Sequence, residues 1–572
     1  MILELGWKSA WKGKVMISSR YATKIACIAM ATAVLLCGLA VVFSGELANA
    51  MGGPGIAMEY ETELFHTDSI IQIDIQMEEG QWEEMLANAM AEEYYSCDVE
   101  INGQRIENVG IRPKGNTSLS SIAMDPDTDR FSLKLEFDHY VEGQTCLGLD
   151  KLVLNNNYAD ATNMKEAIVY DMYRYLGADA SLYNYAEISV NGTYWGVYLA
   201  LEAVEESFLL RNYGAEDGEL YKPESMGMGG GADFKPGDIG GREWPEGMPR
   251  GDGFSPEGEA PQRPGEGTGE DWSEAPQPPG EETGEDWSEA PQPPEGMQED
   301  MEKRFPGKRD GQEFPEMGGM PGKEFSGNSG GADLNYTNDD LDSYSVIWEG
   351  EVTDSGKKDH RRVVDALKNI SRGTDLEKYL DIDNILKYMA VHTFSVNLDS
   401  LSGNMAHNYY LYEYNGKLNM IPWDYNLSFG GMGGNGDASG TINDAIDTPF
   451  QGTEFFNALL EEETYLAQYH EYLQKLTEEY VFGGKFEETY NRIRSQIDTL
   501  VETDPTAFYT YEEYKAGAAM LRQTVQLRAE SVQGQLSGRI PATDAGQREN
   551  PSGLIDASAI DIAVMGTFDM GR

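Results

Sequence analysis

A stretch of about a hundred residues that cannot build a core divides this chain and decides where folded structure can lie. From 227 to 331 the sequence is rich in Gly, Pro, Glu and Met and poor in β-branched residues. Within it, TGEDWSEAPQPP stands at 268–279 and again at 283–294. So polar and turn-rich a segment gains too little from burial to offset its ordering entropy, so disorder is expected across an insert drawn at 224–335. Two copies of a repeat do not make a solenoid. Folding information must therefore sit in the two flanks, which in a chain of 572 residues are each long enough for a core.

The formal net charge is −55, which repels the phosphate backbone and excludes nucleic acid as a partner. Divalent metals and basic protein tails suit that field. The N-terminus departs from it. Lys8, Lys12, Lys14, Arg20 and Lys24 precede nineteen mostly apolar residues at 25–43, and Ala48-Asn49-Ala50 follows in the small-x-small form of a cleavage site. Residues 1–50 thus read as a signal peptide or an N-terminal membrane anchor, leaving the rest outside the cytoplasm. Beyond this leader only Cys97 and Cys146 remain. One disulfide or two buried thiols are the alternatives, and no CxxC or His spacing suggests zinc.

The first flank, 51–223, is sheet-rich. Residues 69–75 alternate in polarity, 80–90 read as a short helix, and Asn102-Gly103 and Asn191-Gly192 separate strand-like runs. Phe131, Leu133, Leu135 and Phe137 alternate with polar residues, and 161–176 carries apolar residues at helical spacing before Gly177. The second flank, 336–540, is mainly helical, with helices expected at 363–370, 382–396, 454–481, 485–500 and 511–536, and a polar tail at 541–572. The class is α+β.

The chemistry concentrates at 397–430, NLDSLSGNMAHNYYLYEYNGKLNMIPWDYNLSFG. Asp399 is followed five residues on by Asn404, then by a hairpin turning at Asn415-Gly416, then by Asp424. Protein kinases use this order: a catalytic-loop Asp, a metal-binding Asn, a hairpin and a second metal-binding Asp. Asp399 would orient or accept the proton of an attacking hydroxyl, while Asn404, Asp424 and Asn408 offer oxygen ligands to a hard divalent ion. In RPKGNTS at 112–118, a polar turn expected between two strands, Arg112, Lys114, Asn116 and Ser118 suit a phosphate cradle. Lys134 leaves the 131–137 strand on its polar face, with Glu166 as the expected carboxylate partner and Asp171 in reserve. Asp125, Asp127 and Asp129 imitate the start of a calcium loop, but Arg130 stands where that loop needs Gly. No Ser-His-Asp or HExxH arrangement appears.

Several of these motifs together resemble the spore coat protein H (CotH) kinases: RPKGNTS, FSLKLEF at 131–137, NMKEAIVYDMYRYLG at 163–177, NGTYWGVYLALEAVEESFLLRNYG at 191–214, GELYKP at 218–223, NLDSLSGNMAHNYYLY and IPWDYNLSFG. The resemblance implies a protein-kinase-like two-lobed fold, sheet-rich first and helical second. It implies ATP with Mg2+, or Mn2+ in its place, and transfer to Ser or Thr of a secreted, cell-surface or spore-coat protein. The alternative is a catalytically silent kinase-like scaffold. By motif, Asp399 matches the family's catalytic aspartate and Asp424 its metal aspartate. Arg112, Lys114, Lys134, Glu166 and Glu202 follow from kinase-like order alone, Glu202 where a hinge would lie. The acidic surface favours a basic Ser/Thr-rich tail as acceptor.

Overall fold

Three Asn-Gly pairs fix three hairpins, because both residues of each pair adopt the left-handed backbone that a tight two-residue turn requires. The computed structural model describes residues 55–214, 217–224, 330–403, 405–432 and 438–568. The chain divides into one unit of Met1–Gly231 with Asn328–Arg572 and a second of Ala232–Gly327, all of which lies outside the described residues. The expected leader at 1–50 and nearly all of the expected disordered insert also lie outside them.

In the first unit, seven strands close into a barrel in the order β1-β2-β3-β4-β5-β7-β6. They are β1 (Ile71–Gln76), β2 (Tyr95–Ile101), β3 (Gln104–Lys114), β4 (Ser132–Glu136), β5 (Lys151–Asn155), β6 (Tyr183–Val190) and β7 (Thr193–Glu202). Neighbours are antiparallel except β1 and β6, whose parallel pairing (Ile73 opposite Ile188) closes the ring. Asn102-Gly103 turns β2 into β3, and Asn191-Gly192 turns β6 into β7. Alternation decides which side chains face inward: Ile73, Val99, Ile111, Leu133, Leu135, Leu152, Leu154, Ile188 and Tyr198 share one buried cluster. The sheet-rich first flank is thus observed, as a closed barrel. Cys97 and Cys146 are both buried free thiols.

The longer helices are α1 (Gln81–Ala87), α2 (Thr117–Met124), α3 (Lys165–Leu176), α4 (Glu206–Tyr213), α5 (Lys357–Ile370), α6 (Ile382–Ser395), α7 (Glu463–Gln474), α8 (Lys485–Thr503) and α9 (Tyr511–Leu536). A second three-stranded sheet, β10-β9-β8, joins β8 (Glu219–Tyr221) to the hairpin of β9 (Tyr409–Tyr414) and β10 (Lys417–Pro422), which turns at Asn415-Gly416. One hydrophobic cluster runs from the outer face of β6 and β7 (Tyr183, Tyr185, Val197, Leu199) through α3 to the helices behind the hairpin. Burial on both sides is why α3 presents little polar periodicity: its residues Lys165 to Tyr173 are all buried.

Three expectations change. The turn at 112–118 leads into a helix, α2, because Leu119 and Ile122 pack one turn apart against the barrel cluster. The expected 454–481 helix breaks at Glu462, whose extended backbone separates Asn457–Glu461 from α7, and ends in a π-helical stretch, Lys475–Val481. The polar tail is packed as far as 568: Ile560, Ile562 and Met565 are buried, single apolar anchors too irregularly spaced to read as a helix or strand. Among the described residues no helix is long and apolar enough to cross a membrane.

Candidate active site

Most of the residues singled out in the sequence line one cavity of about 450 Å³ between the ends of β3–β5 and the β9–β10 hairpin. Arg112, Lys114, Asn116, Ser118, Lys134, Glu166, Asp399, Asn408 and Asp424 all face it. Asn404 lies outside the described residues. Glu202 is elsewhere. It is fully buried, binds Arg211 at 2.6 Å, and accepts from the Tyr60 hydroxyl at 2.6 Å and the Leu182 amide at 3.1 Å. Its side chain is taken up by these partners, while Ala203 and Glu205 just beyond it line the cavity.

The heart of the site is a cluster of three charges carried by three elements. Lys114 ends β3, Glu166 sits in the first turn of α3, and Asp424 follows β10 in a left-handed backbone (φ +59°) that Asp tolerates better than most residues. Burial pulls the Lys114 ammonium below its usual range, opposed by the charges of Asp424 and Glu166. Burial lifts Asp424, opposed chiefly by Lys114. Burial and then the Asp424 charge lift Glu166, opposed by its hydrogen bond from Asn155 (2.9 Å) and by Lys114. Lys114 thus acts on both carboxylates, and Lys222 also acts on Asp424, so the cavity gathers buried charges of both signs that a phosphate ligand and its divalent cation would engage.

The expected Lys134–Glu166 pair does not form. Lys134 binds Glu205, which also takes Lys151, so this carboxylate satisfies two lysines at once. Lys114 is the lysine whose charge acts on Glu166: paired with Ser132 at the very start of β4, it stands two residues further towards that end of the sheet than Lys134, which pairs with Arg112. Asp171, the reserve partner, is spent on Tyr183 (2.8 Å), Tyr480 (2.8 Å) and Thr489 (2.9 Å). Arg112 pairs with Glu92 at the rim. Gly115, at φ +138°, lets the chain turn from Lys114 into α2, whose first N–H groups suit an anion.

Asp399 lies in the loop after α6. His407 Nε2 is 2.6 Å from its Oδ1, and the Asn408 amide donates to its Oδ2 at 3.1 Å and to its backbone carbonyl at 2.8 Å. Asn397 Nδ2 donates to the Asp424 carbonyl at 3.2 Å, tying the two aspartate loops together. Beneath them, His392 Nδ1 meets the Tyr425 hydroxyl at 2.9 Å, and its Nε2 meets Ser402 at 2.7 Å and Ser400 at 3.1 Å.

Burial lowers the His392 imidazole from 6.5 to about 3, so it stays neutral where an unfolded histidine would protonate. Its contribution to stability is full above pH 6.5 and is lost as pH falls towards 3. Between pH 7 and pH 5 the wild type should lose about 2 kcal/mol that a His392→Gln protein does not lose. The carboxyls with raised values, Asp150, Glu166 and Asp444, act in the opposite sense, but they are common to both proteins and cancel in the difference. Urea denaturation at the two pH values measures it, and parallel pH slopes for the two proteins would remove His392 from this role.

Some cavity residues carry no distinct sequence signal. His407 is one, although it lies inside the quoted NLDSLSGNMAHNYYLY motif, and Lys222, bound to Glu224 at 2.7 Å, lies in the equally quoted GELYKP. Asn155 and Asn157 also line the cavity, and each has a buried amide atom without a partner, Asn155 Oδ1 and Asn157 Nδ2. Unsatisfied buried polar atoms beside a cavity point to a polar ligand. Among the described residues no three His, Cys, Asp or Glu side chains gather as a metal cluster. The oxygen donors of Asp424 and Asn408 nevertheless fit Mg2+, which keeps several waters and takes one or two carboxylates together with substrate phosphates.

A family model described as CotH kinase protein matches residues 111–257 and 302–532, more than half of the chain. The match takes in the three-charge cluster and the Asp399 loop but stops short of Phe568 on the cavity wall. No curated protein matches the chain.

Proposed function

The chain belongs to the CotH kinase family, and from that premise we propose that it transfers the γ-phosphate of ATP to Ser or Thr of a protein outside the cytoplasm, at the cell surface or in a spore coat. The observation that carries this reading is the joining of Lys114, Glu166, Asp424 and Asp399 in one cavity. On this reading barrel and helices correspond to the two lobes of a kinase-like fold. Asp424, with Asn408, would hold Mg2+, which supplies charge neutralisation between phosphates. Lys114 would hold phosphate oxygens, with Glu166 keeping its ammonium in place. Asp399 would orient the acceptor hydroxyl and draw off its proton. Orientation and charge stabilisation supply most of the rate in such transfers. The leader expected at 1–50 and the net charge of −55 support an exported enzyme that favours a basic, Ser-rich acceptor.

The test is Mg2+-dependent phosphate transfer by purified protein to a basic Ser-rich peptide and to an acidic peptide carrying the insert repeat. Preference for the basic peptide that shrinks as salt rises is expected, because screening weakens exposed charge attraction. No transfer to any peptide or protein acceptor, with ATP still bound, would favour the second reading, a kinase-like binding module without turnover. One observation speaks for that reading: both carboxylate oxygens of Asp399 already have partners in His407 and Asn408.

A further inference from the structure

We propose that the C-terminal segment 560–568 is a strap that positions Glu166 and Asp424, by joining the loop ahead of α3 to the turn after Asp424 across the cavity rim. Its root is apolar. Ile562 and Met565 are buried in the main cluster, and Thr524 of α9 donates to the Met565 sulfur at 3.6 Å. Small residues on the facing elements leave room for this seat. A Cβ on Gly517 would come within 3.0 Å of the Val564 carbonyl, and one on Gly430 within 2.8 Å of Ile562.

From that root the strap makes two crossings. At the first, the Ala161 amide donates to the Met565 carbonyl at 3.1 Å, and Lys165 Nζ donates to the Gly566 carbonyl at 2.7 Å. Lys165 is fully buried and directly precedes Glu166 in α3. Gly566 has φ +80°, and a Cβ there would lie 2.6 Å from both the Ala159 carbonyl and the Ala161 amide. No other residue type fits that close approach. At the second crossing, the Phe568 amide donates to the Gly431 carbonyl at 2.9 Å, and Phe568 bridges Met432 in parallel. Its ring lines the cavity, 6.3 Å from that of Tyr158.

These crossings bracket an existing contact. The Tyr425 amide, one residue past Asp424, donates to Glu166 at 3.3 Å. The strap holds the start of α3 on one side of that bond and the Asp424 turn on the other. Release of the strap frees both elements to part, and the Lys114–Glu166–Asp424 cluster parts with them. The family match ends at 532, so the strap lies beyond the matched residues.

The activity part of the test rests on the kinase reading; the exchange part does not. In the full chain, Gly566→Ala should unseat the first crossing and Phe568→Ala should weaken the second without altering backbone conformation. Amide hydrogen exchange at 157–166 and 425–432 should quicken by about tenfold or more in both variants, with β2 and β3 unchanged. In the activity assay kcat should fall and KM for ATP in the presence of Mg2+ should rise, because the displaced groups serve both nucleotide binding and transfer. A synthetic 554–568 peptide in excess should slow the exchange again at both loops. Unchanged exchange at both loops, or an equal rise throughout the barrel, overturns the strap. If Gly566→Ala does not fold, Phe568→Ala alone decides. Wild-type protein without ATP turnover would count against the kinase reading, while the exchange result would still judge the strap.

Discussion

Asp424→Asn should lower phosphate transfer by about a thousandfold and remove the Mg2+ dependence of nucleotide binding, since a neutral amide cannot hold a cation against water as a carboxylate does. Asn is the better substitution than Ala, because position 424 has φ +59° and Asn accepts that backbone at little cost. The fold should survive. Asp424 is a buried carboxylate whose charge opposes that of Glu166, and its loss leaves Lys114 with one partner in place of two. Asp399→Asn should act differently. Nucleotide and metal should still bind, since Lys114, Glu166 and Asp424 are untouched, while transfer falls by about a hundredfold to ten-thousandfold. Isothermal titration with Mg2+ and ADP separates the two variants, and single-turnover transfer measures the rest. Wild-type rates in both would show that the cavity is not where phosphate moves.

The sequence made the two aspartates legible because turn chemistry isolates them. Asn415-Gly416 fixes the hairpin, and the hairpin fixes the distance along the chain between Asp399 and Asp424. The other half of the site was harder to read. Lys134 and Lys114 lie on neighbouring strands of opposite direction, and which one meets Glu166 depends on the register of β3 against β4. Register is a property of pairing that neither strand carries alone. Glu205, the true partner of Lys134, belongs to the turn after β7 and has no periodicity to mark it. The barrel's closure was similarly hidden, because the β1–β6 pairing is parallel and spans about a hundred residues. The packed segment at 560–568 was read as tail because its apolar residues come singly, and only α9 and the Asp424 turn give them a face to meet.

Arg130, which the sequence marks only as the residue that spoils a calcium loop, should prove to be a large single contributor to stability. Its side chain is 2% exposed and that of its partner Asp504 is 1% exposed. The guanidinium meets the Asp504 carboxylate at 2.8 and 3.0 Å, Thr506 at 2.6 Å, the Val197 carbonyl at 2.5 Å and the Asn156 carbonyl at 3.2 Å. It also stacks over Tyr198, 4.5 Å from the ring centre. One residue thereby fastens the barrel to the end of α8 and to the Asn155–Asn157 wall of the cavity. Arg130→Met keeps much of the volume but strands a buried carboxylate, so a loss of about 3–5 kcal/mol is expected. Asp504→Asn should cost a similar amount by stranding the guanidinium. Because each change destroys the same pair, the double variant should lose less than the two single losses added together. Urea unfolding of the four proteins measures this, with the midpoint moving and the slope kept. The Asn156 amide also donates to the Arg130 carbonyl at 2.6 Å, and this bond survives substitution of the side chain. ADP affinity should therefore fall less than stability does. Losses that simply add would mean that Arg130 and Asp504 act through separate contacts and that the buried pair does not hold barrel and helices together.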